Sequence, residues 1–183
     1  FTMSEILPLI EYGHHHFGEN KVQEAFIKWS EVKTKKKDIK LHMIGRLQSN
    51  KVKQAVKIFD YIHSVDSIKL AKKIADEQVK QNKKIKLFLQ VNIGEESQKN
   101  GVPINDIDDL VSECKNMNLN VIGLMCLPPL IGNISEFFST IKKKNDELNF
   151  KDVSLGMSSD YIEALSYKST FIRIGTKIFG ERS

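Results

Sequence analysis

The 183-residue sequence has two cysteines, Cys114 and Cys126, and no CxxC pair. That excludes a disulfide framework and a cysteine-rich zinc site. Both residues lie in apolar surroundings, which reads as buried, reduced thiols in a reducing, cytoplasmic compartment. No apolar run reaches the ~18 residues that a membrane span needs, and no signal-peptide pattern opens the chain. No GxGxxG follows the first strand-like run, so a dinucleotide crevice is not supported. No Ser/His/Asp order suggests a nucleophilic triad. There is no internal repeat, low-complexity segment or second domain. Charge of one sign is also scarce: the net +5 comes from 28 basic and 23 acidic residues. That excess suits an anionic ligand but is too small and scattered to argue for nucleic acid. The basic runs at 33–37 and 142–144 read as solvated helix ends.

What the sequence does have is strict alternation. Residues 4–12 place Ile6, Leu7 and Ile10 on one helical face, and Gly13 stops that helix. Strand-like runs follow at 14–17, 40–44, 61–65, 85–92, 120–127, 152–157 and 170–174. Between them lie helical stretches at 22–32 and 50–59, and a long one capped by Ser67 that carries Leu70, Ile74 and Val79. Further helices run from a cap at Asn105 or Asp106 to Cys114, over 135–148 and over 160–166, with a last turn at Ile178 and Phe179. Buried strands alternating with helices predict a parallel sheet with helices outside. The expectation is α/β: a single-domain (β/α)8 TIM barrel over residues 1–183. Seven strands are visible, and the chain opens on a helix at Phe1 rather than Met. A first strand just upstream of Phe1 is therefore expected to complete the barrel.

In such a barrel the chemistry sits at the C-terminal strand ends, and a phosphate often binds the loops after the last two strands. Here those loops are SLGMSSD at 154–160 and FIRIGTKIFG at 171–180. Each starts as a buried strand and breaks into small residues: Gly156, Ser158 and Ser159 in the first, Gly175 and Thr176 in the second. Arg173 sits between Ile172 and Ile174. If those two face the helices, the guanidinium faces the barrel interior, either in a salt bridge to an inward carboxylate or aimed at a bound ring or anion. Glu19 and Asp66 are the rim carboxylates, with no second carboxylate paired to either by spacing. Neighbouring residues on a strand face opposite ways, so His14, His15 and His16 cannot converge on a metal ion and read as surface histidines. His42 and His63 lie within strands and read as hydrogen-bonded core histidines.

Seven stretches together resemble the YggS/PROSC family of pyridoxal 5'-phosphate-binding proteins: FGENKVQE at 17–24, HMIGRLQSNK at 42–51, SVD at 64–66, LQVNIGEESQKNG at 89–101, GLMCLPP at 123–129, SLGMSSDYIEAL at 154–165 and FIRIGTKIFGER at 171–182. The resemblance implies a barrel like the N-terminal domain of alanine racemase. It implies pyridoxal phosphate held as a Schiff base by a lysine at the end of the first strand, which is expected upstream of Phe1. It implies a phosphate site at Ser158, Gly175 and Thr176, with Ser159 beside them. Arg173 would face the pyridine nitrogen and keep it unprotonated, which weakens the ring as an electron sink. Asn20, His42, Gly45, Asn92 and Met125 would line the pocket. Lys21 and Lys51 read as first-turn helix residues and do not replace the missing lysine.

The resemblance implies a non-catalytic protein that buffers and delivers pyridoxal phosphate, with apo-enzymes as recipients; a monomer with no nucleic-acid or membrane partner is expected. The alternative is an amino-acid racemase, which needs a base on each face of the cofactor. A plain sugar-phosphate-binding barrel is the third reading.

Overall fold

The computed structural model describes residues 1–181 apart from Glu95, Ser97, Lys99 and Leu130. Three residues of the 89–101 stretch, and Arg182 of the last stretch, therefore lie outside the described residues.

Among the described residues the predicted alternation becomes seven strands: β1 (His16–Glu19), β2 (Lys40–Met43), β3 (Tyr61–Val65), β4 (Lys86–Val91), β5 (Asn120–Cys126), β6 (Asp152–Met157) and β7 (Phe171–Arg173). The helices are α1 (Met3–Glu11), α2 (Val22–Lys35), α3 (Val52–Ile58), α4 (Ile68–Lys80), α5 (Ile107–Asn116), α6 (Ile134–Glu147), α7 (Tyr161–Ser166) and α8 (Thr176–Phe179). The strands pair in chain order from β1 to β7, and every pairing is parallel. This is an α/β barrel that is nearly closed. Among the described residues β1 and β7 do not pair, so a slot remains between them.

Alternation along the strands sorts the side chains into two layers. Leu41, Ile62, Leu89, Leu124 and Leu155 face outward and join the helices, through Trp29, Ile74, Ile107 and Phe138, in one large core. Tyr61, Phe88 and Met125 face inward and form a separate small cluster with Phe171. Gly123 lets β5 and β6 approach, since a Cβ there would come 1.9 Å from the Asp152 carbonyl oxygen.

Local signals set the helix starts, with two differences from the sequence reading. Ser67 caps α4, its hydroxyl accepting the Leu70 N–H at 3.3 Å. α6 starts at Ile134, one residue before the expected start at 135: its cap is Asn133, whose side chain accepts the Ser135 N–H at 3.1 Å. Asp106 takes the N-cap position of α5, as one of the two expected residues, but its side chain makes no cap bond, and a short 3-10 turn over Ile104–Asp106 leads into the helix. No helix among the described residues is long and apolar enough to cross a membrane.

Candidate functional site

The loops after β6 and β7 meet at the C-terminal mouth of the barrel. β6 turns into its loop through Gly156, whose φ is +90° and where a Cβ would come 2.6 Å from the Ala164 Cβ. Glycine is the residue that adopts this backbone without strain. Asp160, buried, holds the turn by accepting the Met157 N–H at 2.5 Å. Ser158 Oγ then accepts the Gly175 N–H at 3.1 Å, which ties the two loops together. Among the described residues, the backbone N–H groups of Ser159 and Thr176 donate to nothing. Ser159 and Thr176 are exposed and Ser158 is half-buried. Open N–H groups and hydroxyls gathered at two joined loops make a donor set suited to an anion.

Arg173 points inward, as its place beside Ile172 predicts, but its partners are neutral. Nη1 donates to the Ser154 carbonyl at 2.9 Å and to the Ser154 hydroxyl at 2.6 Å, and Nη2 donates to the Cys126 carbonyl at 2.9 Å. Among the described residues no carboxylate pairs with it, so the salt-bridge alternative does not apply. Burial pushes its pKa down to about 10, which leaves it cationic at neutral pH.

Beneath Arg173 a polar row crosses the interior. Ser154 Oγ meets His63 Nδ1, His63 Nε2 meets His42 Nδ1, and His42 Nε2 meets His16 Nδ1, each at 2.9 Å. His42 stacks on Tyr61 at 4.1 Å, and His63 stacks on Phe88 at 4.4 Å. Burial is the main cause that lowers His42 to about 3 and His63 well below the usual histidine value, so both are neutral. The core reading of His42 and His63 stands, but His16, read as a surface residue, joins them. It is exposed at the β1 edge and reaches inward.

The other expected residues are placed less uniformly. Asn20 and Gly45 lie against each other at the β1–β2 rim, where a Cβ on Gly45 would come 2.3 Å from the Asn20 carbonyl oxygen. Met125 is fully buried in the interior cluster, one residue before the carbonyl that holds Arg173. Asn92 is committed to the loop after β4: its N–H donates to the Val102 carbonyl and its Nδ2 to the Glu96 carbonyl, both at 2.9 Å. Glu19 is not a rim acid. It faces outward under α2, buried, accepting from Lys28 Nζ at 2.8 Å and Trp29 Nε1 at 2.7 Å. Asp66 lines a neighbouring cavity of about 340 Å³ with Arg46, Gln48 and Ser67. Sequence reasoning missed Ser154 and the Cys126 carbonyl, whose roles depend on how β5, β6 and β7 align.

Residues 1–183 match the family described as alanine racemase, N-terminal domain. The pyridoxal phosphate homeostasis protein of Aquifex aeolicus (strain VF5) is 36% identical over 176 residues, covering 91% of this chain and 76% of the relative. That of Escherichia coli (strain K12) is 32% identical, covering 98% and 81%. The structure of PipY from Synechococcus elongatus PCC7942 with PLP bound superposes with a TM-score of 0.89 at 34% identity, over 98% of this chain and 88% of that one. An alanine racemase from Clostridium difficile 630 shares the fold, with a TM-score of 0.73 at 14% identity, over 97% of this chain and 48% of its own.

Proposed function

The chain belongs to the pyridoxal phosphate homeostasis proteins of the alanine racemase N-terminal domain family, and on that premise we propose that it binds pyridoxal 5'-phosphate at the barrel mouth to buffer and deliver it. The observation that carries this reading is the junction of Ser158 with Gly175, beside the open N–H groups of Ser159 and Thr176. That donor set fits a phosphate. Arg173 lies on the adjoining strand with its guanidinium held by Ser154 and Cys126, and a cationic donor there fits an unprotonated ring nitrogen. Asn20, His42, Gly45, Asn92 and Met125 would bound the remainder of the pocket.

When bound, pyridoxal phosphate supplies an aldehyde that condenses reversibly with amines. A lysine for it would come from a strand upstream of Phe1 that fills the slot between β7 and β1. Two features support this. Phe1 stacks on Phe179 of α8 with ring centroids 4.5 Å apart, so the chain enters α1 from the mouth. Lys21, the lysine nearest the end of β1, is exposed and paired with Glu24 at 2.8 Å.

The role proposed is carriage rather than catalysis. Racemisation by two bases needs a proton acceptor on each face of the cofactor. Among the described residues, the polar groups at the interior include the Arg173 guanidinium, the Ser154 hydroxyl, imidazoles bonded to one another and the Tyr61 phenol, which accepts from Lys86 Nζ at 3.3 Å. Recipients would be apo forms of enzymes that use the cofactor. Two buried thiols, with Cys114 raised to about 12 by burial, suit a reducing cytoplasmic setting. The protein would act as a monomer.

The test is a titration of full-length protein with pyridoxal phosphate and with pyridoxal, followed by the visible absorbance band. Loss of a hydrogen bond to a charged group costs about 1.5–3 kcal/mol, so Ser158→Ala and Thr176→Ala should each weaken the phosphorylated ligand by roughly tenfold or more. Pyridoxal binding should not respond to either change. Equal affinity for the two ligands, or variants that bind as the parent does, would refute the phosphate site. Racemisation of L-alanine by the loaded protein would refute the carrier role.

A further inference from the structure

The row of histidines beneath Arg173 is longer than a packing explanation requires, and its protons can be counted. A neutral imidazole has one N–H donor and one acceptor nitrogen, so a chain of them runs in one direction only. Arg173 Nη1 can only donate, and it donates to Ser154 Oγ at 2.6 Å. Ser154 is fully buried, and among the described residues its hydroxyl meets only Arg173 Nη1 and His63 Nδ1. If His63 Nδ1 also donated, the hydroxyl proton would be left without an acceptor, which is costly inside a protein. The hydroxyl must therefore donate to His63 Nδ1. His63 Nε2–H then donates to His42 Nδ1, and His42 Nε2–H donates to His16 Nδ1. The run ends at the Nε2–H of His16 on β1.

We propose that Ser154, His63, His42 and His16 form a one-way hydrogen-bond relay whose direction is imposed by Arg173, and that His63 and Ser154 are positioning residues that hold the guanidinium in place. This goes beyond the cofactor reading and stands without it, because it concerns groups of the chain itself. The aromatic stacking supports it. Tyr61 and Phe88 cover the faces of His42 and His63, lying 12° and 28° from parallel to them. The ring edges alone are left to carry hydrogen bonds, and the rings are fixed in the plane the relay needs.

The experiment is nitrogen NMR on full-length, ligand-free protein with labelled histidine and arginine side chains at neutral pH. His42 and His63 should both show a protonated, pyrrole-type Nε2 and an unprotonated Nδ1. Arg173 should show two resolved Nη signals, because both ends are tied. In Ser154→Ala, which removes only the linking hydroxyl, His63 should lose its single tautomer and the Arg173 Nη signals should average. His63→Phe should average the same Nη signals while keeping the stack on Phe88. An Nδ1–H tautomer at either histidine in the parent protein would overturn the relay. Resolved, unshifted Arg173 Nη signals in a folded Ser154→Ala or His63→Phe protein would overturn the positioning role. Cofactor titration of the same variants reports separately on the proposed binding site.

Discussion

Histidines held neutral inside the barrel should make the protein lose stability in mild acid. Burial, reinforced by the neighbouring His16, Lys33 and His14, lowers His42 to about 3. Burial, reinforced by His42 and Arg173, takes His63 well below its ordinary value. In the unfolded chain both return to about 6.5. Between those values the unfolded state takes up protons that the folded state refuses. Their contribution is therefore intact above about pH 6.5 and is lost as the pH falls toward the folded value. A proton bound only by the unfolded state costs about 1.4 kcal/mol per pH unit. From about pH 7 to about pH 5 each histidine then removes about 2 kcal/mol, and the pair about 4, against a typical total of ~5–15. His16 is lowered too, chiefly by burial, and adds with the same sign. The carboxyls of Glu5, Glu24, Glu31 and Glu77 are held below 4.5 by hydrogen bonds and stay ionised across this window. The assay is urea unfolding at about pH 7 and about pH 5, for the parent and for His63→Phe. The parent should lose about 4 kcal/mol and the variant about 2. Equal losses in the two proteins, or a parent whose midpoint does not move, would refute the claim that these imidazoles are held neutral.

Two further outcomes follow from the geometry. Gly156→Ala forces a side chain into a backbone with φ +90° and to 2.6 Å from the Ala164 Cβ; it should cost about 1–3 kcal/mol and weaken phosphate-ligand binding, and an unchanged denaturation midpoint would contradict it. Glu19→Ala leaves Lys28 and the Trp29 indole without their shared acceptor; it should cost about 3 kcal/mol and shift the emission of the single tryptophan, and a parent-like melting temperature would contradict the outward, buried placement.

The strands and most helices were legible because burial on one face leaves a period in the sequence. Leu41 and Met43 against His42, or Leu87 and Leu89 against Phe88, state both the strand and its two faces. The same rule contained the answer for Glu19: Phe17 and Glu19 share a parity, so if Phe17 packs outward, Glu19 does too, away from the mouth. Its apparent rim position came from chain order alone. Helix starts were less legible, because a cap is decided by one side chain. Asn133 wins over Ser135 by accepting the Ser135 N–H itself. The inward direction of Arg173 could be read from Ile172. Its partners could not, because they are a hydroxyl and two carbonyls brought near by the alignment of three strands.

That set of neutral partners bears on which chemistry the mouth supports. A carboxylate against Arg173 would cancel its charge and let a ring nitrogen beside it take up a proton. Ser154 and the Cys126 carbonyl fix the guanidinium without cancelling it, the buried Asp160 acts on it without a hydrogen bond among the described residues, and the neutral histidines below carry no charge. A group facing Arg173 therefore meets a donor that cannot accept, in a site that resists a second positive charge. On the proposed reading, the pyridine nitrogen stays an acceptor and the ring withdraws electrons weakly. That suits a protein that holds an aldehyde reversibly more than one that must stabilise a carbanion. The same electrostatics should survive His16→Gln, which touches only the far end of the relay. They should fail in Arg173→Leu, whose bound cofactor should show a ring nitrogen that now titrates near neutral pH. A ring nitrogen that titrates alike in both variants would break the link between the neutral partners of Arg173 and the carrier role.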